Sequence, residues 1–85
     1  MSGNFFVVTS IEFSNIISYL TSTTTNHSKA LSIIRNFSSL EYVKERNYYT
    51  ISKKEAWSYF SKNYSKALSN KNILDIDELL IASKN

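Results

Sequence analysis

The chain contains no cysteine and no proline, and its only glycine is Gly3. Without cysteine there is no disulfide framework and no thiolate chemistry. Without proline, helices lose their strongest breaker. With no glycine after residue 3, turns must be made by Asn, Ser, Thr and Lys. Also missing are a glycine-rich phosphate loop, a second histidine beside His27, and any apolar run near the ~18 residues of a membrane span. The first residues, MSGNFFVVTSIEF, carry no basic leader, so no signal peptide is expected. These absences favour a helical class, no membrane association, and an intracellular setting, cytoplasmic or nuclear/nucleoid.

What is present points to one small folded domain over residues 1–85. A hydrophobic content of 42% with 14% aromatics exceeds what a disordered chain carries. At 85 residues, folding buries only about 60–65% of the unfolded surface, so an oligomer or a bound partner is expected to add stability. The net charge of +3 is unevenly spread. Residues 1–28 hold one charge, Glu12. Residues 29–71 hold nine cations against Glu41, Glu45 and Glu55. Residues 72–85 are net acidic, through Asp75, Asp77 and Glu78. A basic middle suits an anionic partner such as nucleic acid.

The hydrophobic pattern predicts a mainly α fold in the order β-α-α-β-α-α, with four short helices and two short strands. Asn4 to Thr9 is aromatic and β-branched, the composition of a strand. Thr9-x-x-Glu12 reads as a capping box, and Phe13, Ile16, Ile17 and Leu20 follow on one helical face. Residues 21–26 read as a loop. A second helix is expected from about Ser28 through Leu40 and Val43, stopped near Asn47. Tyr48 to Ile51 reads as a second strand and Ser52-x-x-Glu55 as a second capping box. Ala56, Trp57, Phe60, Tyr64, Ala67 and Leu68 then predict one helix to residue 68. Ile76, Leu79 and Leu80 place a last helix over 73–83, with acids in its first turn as the helix dipole favours. The core is expected to include these apolar stripes together with Ile33, Ile34 and Phe37.

At an offset of 43, Asn4-Phe5-Phe6-Val7-Val8-Thr9-Ser10-Ile11-Glu12 lies over Asn47-Tyr48-Tyr49-Thr50-Ile51-Ser52-Lys53-Lys54-Glu55. Asn, two aromatics, a hydroxyl cap and Glu coincide, which suggests pseudo-repeat units 4–46 and 47–85. In element order and size the chain resembles a ribbon-helix-helix DNA-binding dimer fused into one polypeptide, its two strands pairing as a ribbon. The expected ribbon faces are Phe5, Val7, Thr9 with Tyr48, Thr50, Ser52, and Phe6, Val8 with Tyr49, Ile51. Neither carries Arg, Lys, Gln or Asn for reading base edges. The Tyr48–Ile51 run leading into a helix is also similar to the strand-then-helix entry of winged helix-turn-helix regulators.

Candidate nucleic-acid-binding residues are Arg35, Lys44, Arg46, Lys53, Lys54, Lys62 and Lys66. Lysine and arginine neutralise phosphates, and the interleaved tyrosines can stack on bases. Tyr48 and Tyr59 are candidates for contacting a protein partner. No metal site or cofactor is implied: His27 stands alone, and helix-terminal charge accounts for Asp75, Asp77 and Glu78. No serine has a readable base and orienter, so an enzyme with a small-molecule substrate is not expected. The reading is a small basic DNA-binding protein acting in transcription regulation through a Lys/Tyr-rich helix face. The alternative is a protein–protein interaction module, such as an inhibitor, an adaptor or a homo-oligomeric assembly subunit.

Overall fold

Period-two alternation and the capping box behind it set the entry to the fold. In a computed structural model, which describes residues 4–85, Phe5–Val8 forms strand β1. Phe6 and Val8 point inward and Phe5 and Val7 outward. Thr9 then caps helix α1 (Ser10–Thr21). Its hydroxyl accepts from the Glu12 N–H at 3.0 Å, and the Glu12 carboxylate accepts from the Thr9 N–H at 2.9 Å. The box satisfies two amide donors that the first helical turn leaves without partners. The expected stripe of Phe13, Ile16, Ile17 and Leu20 is buried.

A second stripe on α1, not anticipated from the hydrophobic pattern, is made of serines four residues apart. The Ser14 hydroxyl donates to the Thr25 carbonyl at 2.8 Å, and the Ser18 hydroxyl accepts from the Thr25 N–H at 2.9 Å. The Ser10 hydroxyl bonds the His27 ring at Nε2. These bonds lay the 22–26 loop back along α1 and start helix α2 (His27–Ile34) beside it. Asn26 caps α2, accepting from the Lys29 N–H at 2.7 Å.

Helix α2 stops well before the expected end near residue 46. The cause is tertiary. The N–H groups of Ser38 and Ser39, which a continuing helix would send to carbonyls four residues back, donate instead to the Glu55 carboxylate at 2.8 and 2.9 Å. Phe37 and Leu40 still face the core, because the turns linking Phe37 to Ile34 and Leu40 to Phe37 keep a spacing of three. Beyond them Glu41–Val43 forms strand β2, absent from the expected layout, and Asn47 is a left-handed hairpin residue (φ 56°), not a helix stop. Left-handed positions fall on Ser22, Asn47 and Asn72, the residue types that replace glycine here.

Strand β3 (Tyr48–Ser52) lies at the centre of a three-stranded antiparallel sheet in the order β1-β3-β2. Register pairs Phe6 with Ile51 and Val8 with Tyr49 on the inner face, and Phe5 with Ser52 and Val7 with Thr50 on the outer. The two strands pair, and their faces divide, as expected. The two-stranded ribbon becomes three-stranded because β2 adds to the free edge of β3, Glu41 opposite Thr50 and Val43 opposite Tyr48.

The single helix expected over 52–68 is two, α3 (Lys53–Asn63) and α4 (Ser65–Asn70), separated at Tyr64 (φ −133°, ψ 32°). Asn63 and Ser61 send side-chain bonds to the carbonyls of Tyr59 and Ser58, competing with the backbone ladder at the helix end. Ser52 makes only half of its capping box. Its hydroxyl accepts from the Glu55 N–H, but the Glu55 side chain has turned to Ser38 and Ser39, and Ser39 Oγ takes the Ser52 N–H at 2.9 Å. Helix α5 (Ile76–Lys84) is capped by Asp75, so that acid precedes the first turn.

The described residues thus hold five helices and three short strands, a mainly α fold. One contiguous core links β1, α1, α2, β3 and the helices that follow. Phe13 is at its centre, with ring centroids 6.1 Å from Phe37 and 5.5 Å from Phe60. Phe6, Val8, Ala30, Ile51 and Ile73 join the core beside the expected stripes. Trp57, Ile33, Leu40 and Leu80 pack against its border, partly buried. On α3, Ala56 and Phe60 take the inward positions and Trp57 lies one step around the helix.

Candidate nucleic-acid interface

Opposite charges are used very differently in this molecule. Among the described residues two ion pairs form, Lys53 to Asp77 at 2.7 Å and Lys84 to Glu12 at 3.0 Å. Both join α5 to another helix N-terminus, since Lys53 opens α3 and Glu12 lies in the first turn of α1. Lys29, Arg35, Lys44, Arg46, Lys54, Lys62, Lys66 and Lys71 are exposed and make no ion pair within the described residues. The acids are mostly committed internally. Glu12 completes a cap, Glu55 clamps two serines, Asp75 caps α5, Asp77 pairs with Lys53, and Glu78 accepts from the Leu74 N–H at 2.7 Å. Glu41 and Glu45 remain. The cations thus stand free of internal bonds more often than the acids do, although Asp75, Asp77 and Glu78 stay exposed as well.

The expected site residues separate into groups. Arg35 caps the C-terminus of α2, and Lys44 and Arg46 lie in the β2–β3 turn, all exposed. Lys53 is half-buried and held by Asp77, so its charge is already answered. Lys54 and Lys62 share α3, whereas Lys66 belongs to α4, beyond the break at Tyr64. The continuous Lys54–Lys62–Lys66 face that one helix would have formed is interrupted there.

Apart from Arg35, sequence reasoning left out the exposed side of α2. Ser28, Lys29 and Ser32 on the helix, and Arg35 and Asn36 just past its end, are all exposed, while Ala30 and Ile34 face the core. The signal was available: no acid occurs from Asn26 through Leu40. The layout of β1, a helix pair, and then a hairpin closing on β1's partner is strand–helix–helix–hairpin.

Tyr48 lies on the outer sheet face, half-buried, opposite Val43. Tyr59 packs edge-on against Phe37, Phe60 and Tyr64 at 5.4, 5.1 and 6.3 Å. Burial pushes its hydroxyl up to about 12, with Tyr64 adding to the rise, so it is a neutral packing residue at ordinary pH. His27 is exposed and bonds Ser10, next to a helix start. No group of three His, Cys, Asp or Glu residues able to hold a metal ion occurs among the described residues. Among the described residues, no helix is long and apolar enough to cross a membrane.

Glu55 is the most strongly held charge. Its carboxylate accepts from the N–H and hydroxyl of both Ser38 and Ser39. The Ser39 hydroxyl and then the two backbone N–H groups bring its pKa down from 4.5 to about 2. A carboxylate whose folded pKa is depressed adds stability above its unfolded value and loses it on protonation. The contribution is therefore complete above pH ~4.5 and vanishes as pH falls toward ~2. Thermal melts should show Glu55→Gln less stable than the parent at pH 7 and the gap closing between pH 4.5 and 2. A gap that holds constant through that window would mean the clamp contributes nothing through its charge. Glu12 is also lowered. Burial alone would raise it, but the Thr9 N–H, the Lys84 ammonium and the Thr9 hydroxyl outweigh that effect.

Comparison of the chain with protein-family models, with curated proteins and with solved structures found no match.

Proposed function

We propose that this protein is a non-enzymatic regulator that binds nucleic acid, with duplex DNA as the target, through the exposed side of α2 and the β2–β3 turn. The observation that carries the reading is the asymmetry of charge use: eight exposed cations without an ion pair, against acids drawn into caps and clamps. Unpaired lysines and arginines are free to displace the counterions of a phosphate backbone. On α2, Lys29 and Arg35 supply charge. Ser28 and Ser32 supply the hydroxyl groups that reach base edges or phosphates when a helix lies in a major groove. Lys44 and Arg46, in the β2–β3 turn, supply further backbone contacts. Helix-turn-helix proteins use the second helix of such a pair for recognition, and the likeness here is an analogy of layout.

The test is equilibrium binding to a fluorescent duplex and to a single strand of the same sequence at about 50 mM salt, where phosphate contacts are strong. Binding to the duplex, and more weakly to the single strand, is expected. Preference for the single strand would move the site to the tyrosines. No binding to either would end the reading and leave the protein-interaction module, for which the apolar outer face of the sheet is the supporting feature.

A further inference from the structure

Strand β1 is the second feature that internal contacts leave open. It pairs with β3 on one side only and forms one edge of the sheet. Natural edge strands are protected by charge, proline, a bulge or extreme shortness. The other edge follows that rule, because β2 has three residues, begins with Glu41 and runs into Lys44. β1 does not. From Asn4 through Ile11 no residue is charged and none is proline, and its register against β3 is unbroken over four pairs. Its outer-face side chains are apolar yet open, Phe5 54% and Val7 48% exposed. Phe6 and Val8 on the inner face are fully buried, so the strand is held rigidly by the core.

We infer that β1 is a self-association edge, pairing antiparallel with β1 of a second copy across a two-fold axis to join two sheets into one. Two arguments select a second copy over another partner. The first is charge. Each chain carries +3, so two copies repel except where they meet at a neutral surface, and residues 4–11 are that surface. None of the eight cations without an ion pair falls within residues 4–11; all lie from Lys29 onward in sequence. The second is register. An antiparallel strand crossing its own copy at Phe6 sets Phe5 opposite Val7 of the second copy, and Val7 opposite Phe5 of the second copy. Directly opposed residues share a face, so both exposed apolar side chains are covered in one step. The inference stands independently of the nucleic-acid reading.

The experiment is light scattering coupled to size exclusion over a range of concentrations, on the parent chain, Phe5→Lys and Val7→Lys. The parent is expected at twice the chain mass and each variant at the single-chain mass. Far-UV circular dichroism should be unchanged, since neither side chain is in the core. Amide hydrogen exchange of the parent gives a readout independent of the variants. Protection within residues 5–8 should fall on dilution, while that of β3 holds. A parent of single-chain mass up to about 100 μM, of the order at which weak edge pairing is populated, would overturn the proposal. So would a dimer that survives both substitutions.

Discussion

Replacing Phe13 with Ala is expected to cost about 3–5 kcal/mol, the range for removing a fully buried phenylalanine. Phe13 is wholly buried on α1 and is the ring that both Phe37, beyond α2, and Phe60, on α3, pack against. Truncation therefore removes two aromatic contacts and opens a cavity where three parts of the chain meet. A chain of this length has a total stability of about 4–13 kcal/mol, from roughly 0.05–0.15 kcal/mol per residue. The variant should then lose between about a quarter and all of the parent's stability, with a melting temperature at least about 12 °C lower, from about 4 °C per kcal/mol in small domains. Ile11→Ala is the control. It lies two residues away on the same helix but is 66% exposed, and a change of less than about 0.5 kcal/mol is expected. Urea unfolding of the two variants side by side checks this. Equal losses would mean that α1 does not present Phe13 to the core as described.

The contrast between these neighbours was legible from spacing alone. Phe13, Ile16, Ile17 and Leu20 follow the helical period, and Ile11 falls outside it. The two capping residues and the pairing of Phe5–Val8 with Tyr48–Ser52 were legible for similar reasons, because caps and strand composition are local. The errors lie where a distant group overrides a local pattern. Phe37, Leu40 and Val43 continue a helical stripe, and nothing nearby in sequence stops it. Glu55, sixteen and seventeen residues away, takes the amides of Ser39 and Ser38 and ends the helix. The same competition reduced the Ser52 capping box to half, since Glu55 cannot serve both ends. The serine stripe on α1 was visible as spacing, but its meaning depends on where the following loop returns. For the interface, Arg35, Lys44 and Arg46 were readable as charges. The withdrawal of Lys53 depended on its contact with Asp77, and the separation of Lys66 on the break at Tyr64. The exposed side of α2 became a candidate once that helix was seen to end at Ile34, close to the hairpin in sequence.

The proposed interface depends on where unpaired positive charge meets phosphate. If Lys29, Arg35, Lys44 and Arg46 each neutralise one phosphate of a duplex, the logarithm of the binding constant should fall against the logarithm of salt with a slope of about −3.6, from about −0.9 per contact. Between 50 and 200 mM salt that slope is a loss of about 150-fold in affinity. Replacing all four by Ala should flatten the dependence and weaken binding at 50 mM by more than about 100-fold, since what is lost on adding salt is what those contacts contribute. All four side chains are exposed and none joins an ion pair within the described residues, so the fold should tolerate the change. Replacing only Lys29 and Arg35, or only Lys44 and Arg46, should remove about half of the slope, which shows whether helix and hairpin act together. Lys54, Lys62 and Lys66 lie on the broken α3–α4 side, and their replacement should leave the slope within about one unit of the parent. The decisive measurement is this salt slope, taken on a duplex for the parent, the fourfold variant and the threefold variant. A steep parent, a flat fourfold variant and a steep threefold variant are expected. A parent slope near zero, or a slope lost with Lys54, Lys62 and Lys66 and kept without Lys29, Arg35, Lys44 and Arg46, would contradict it.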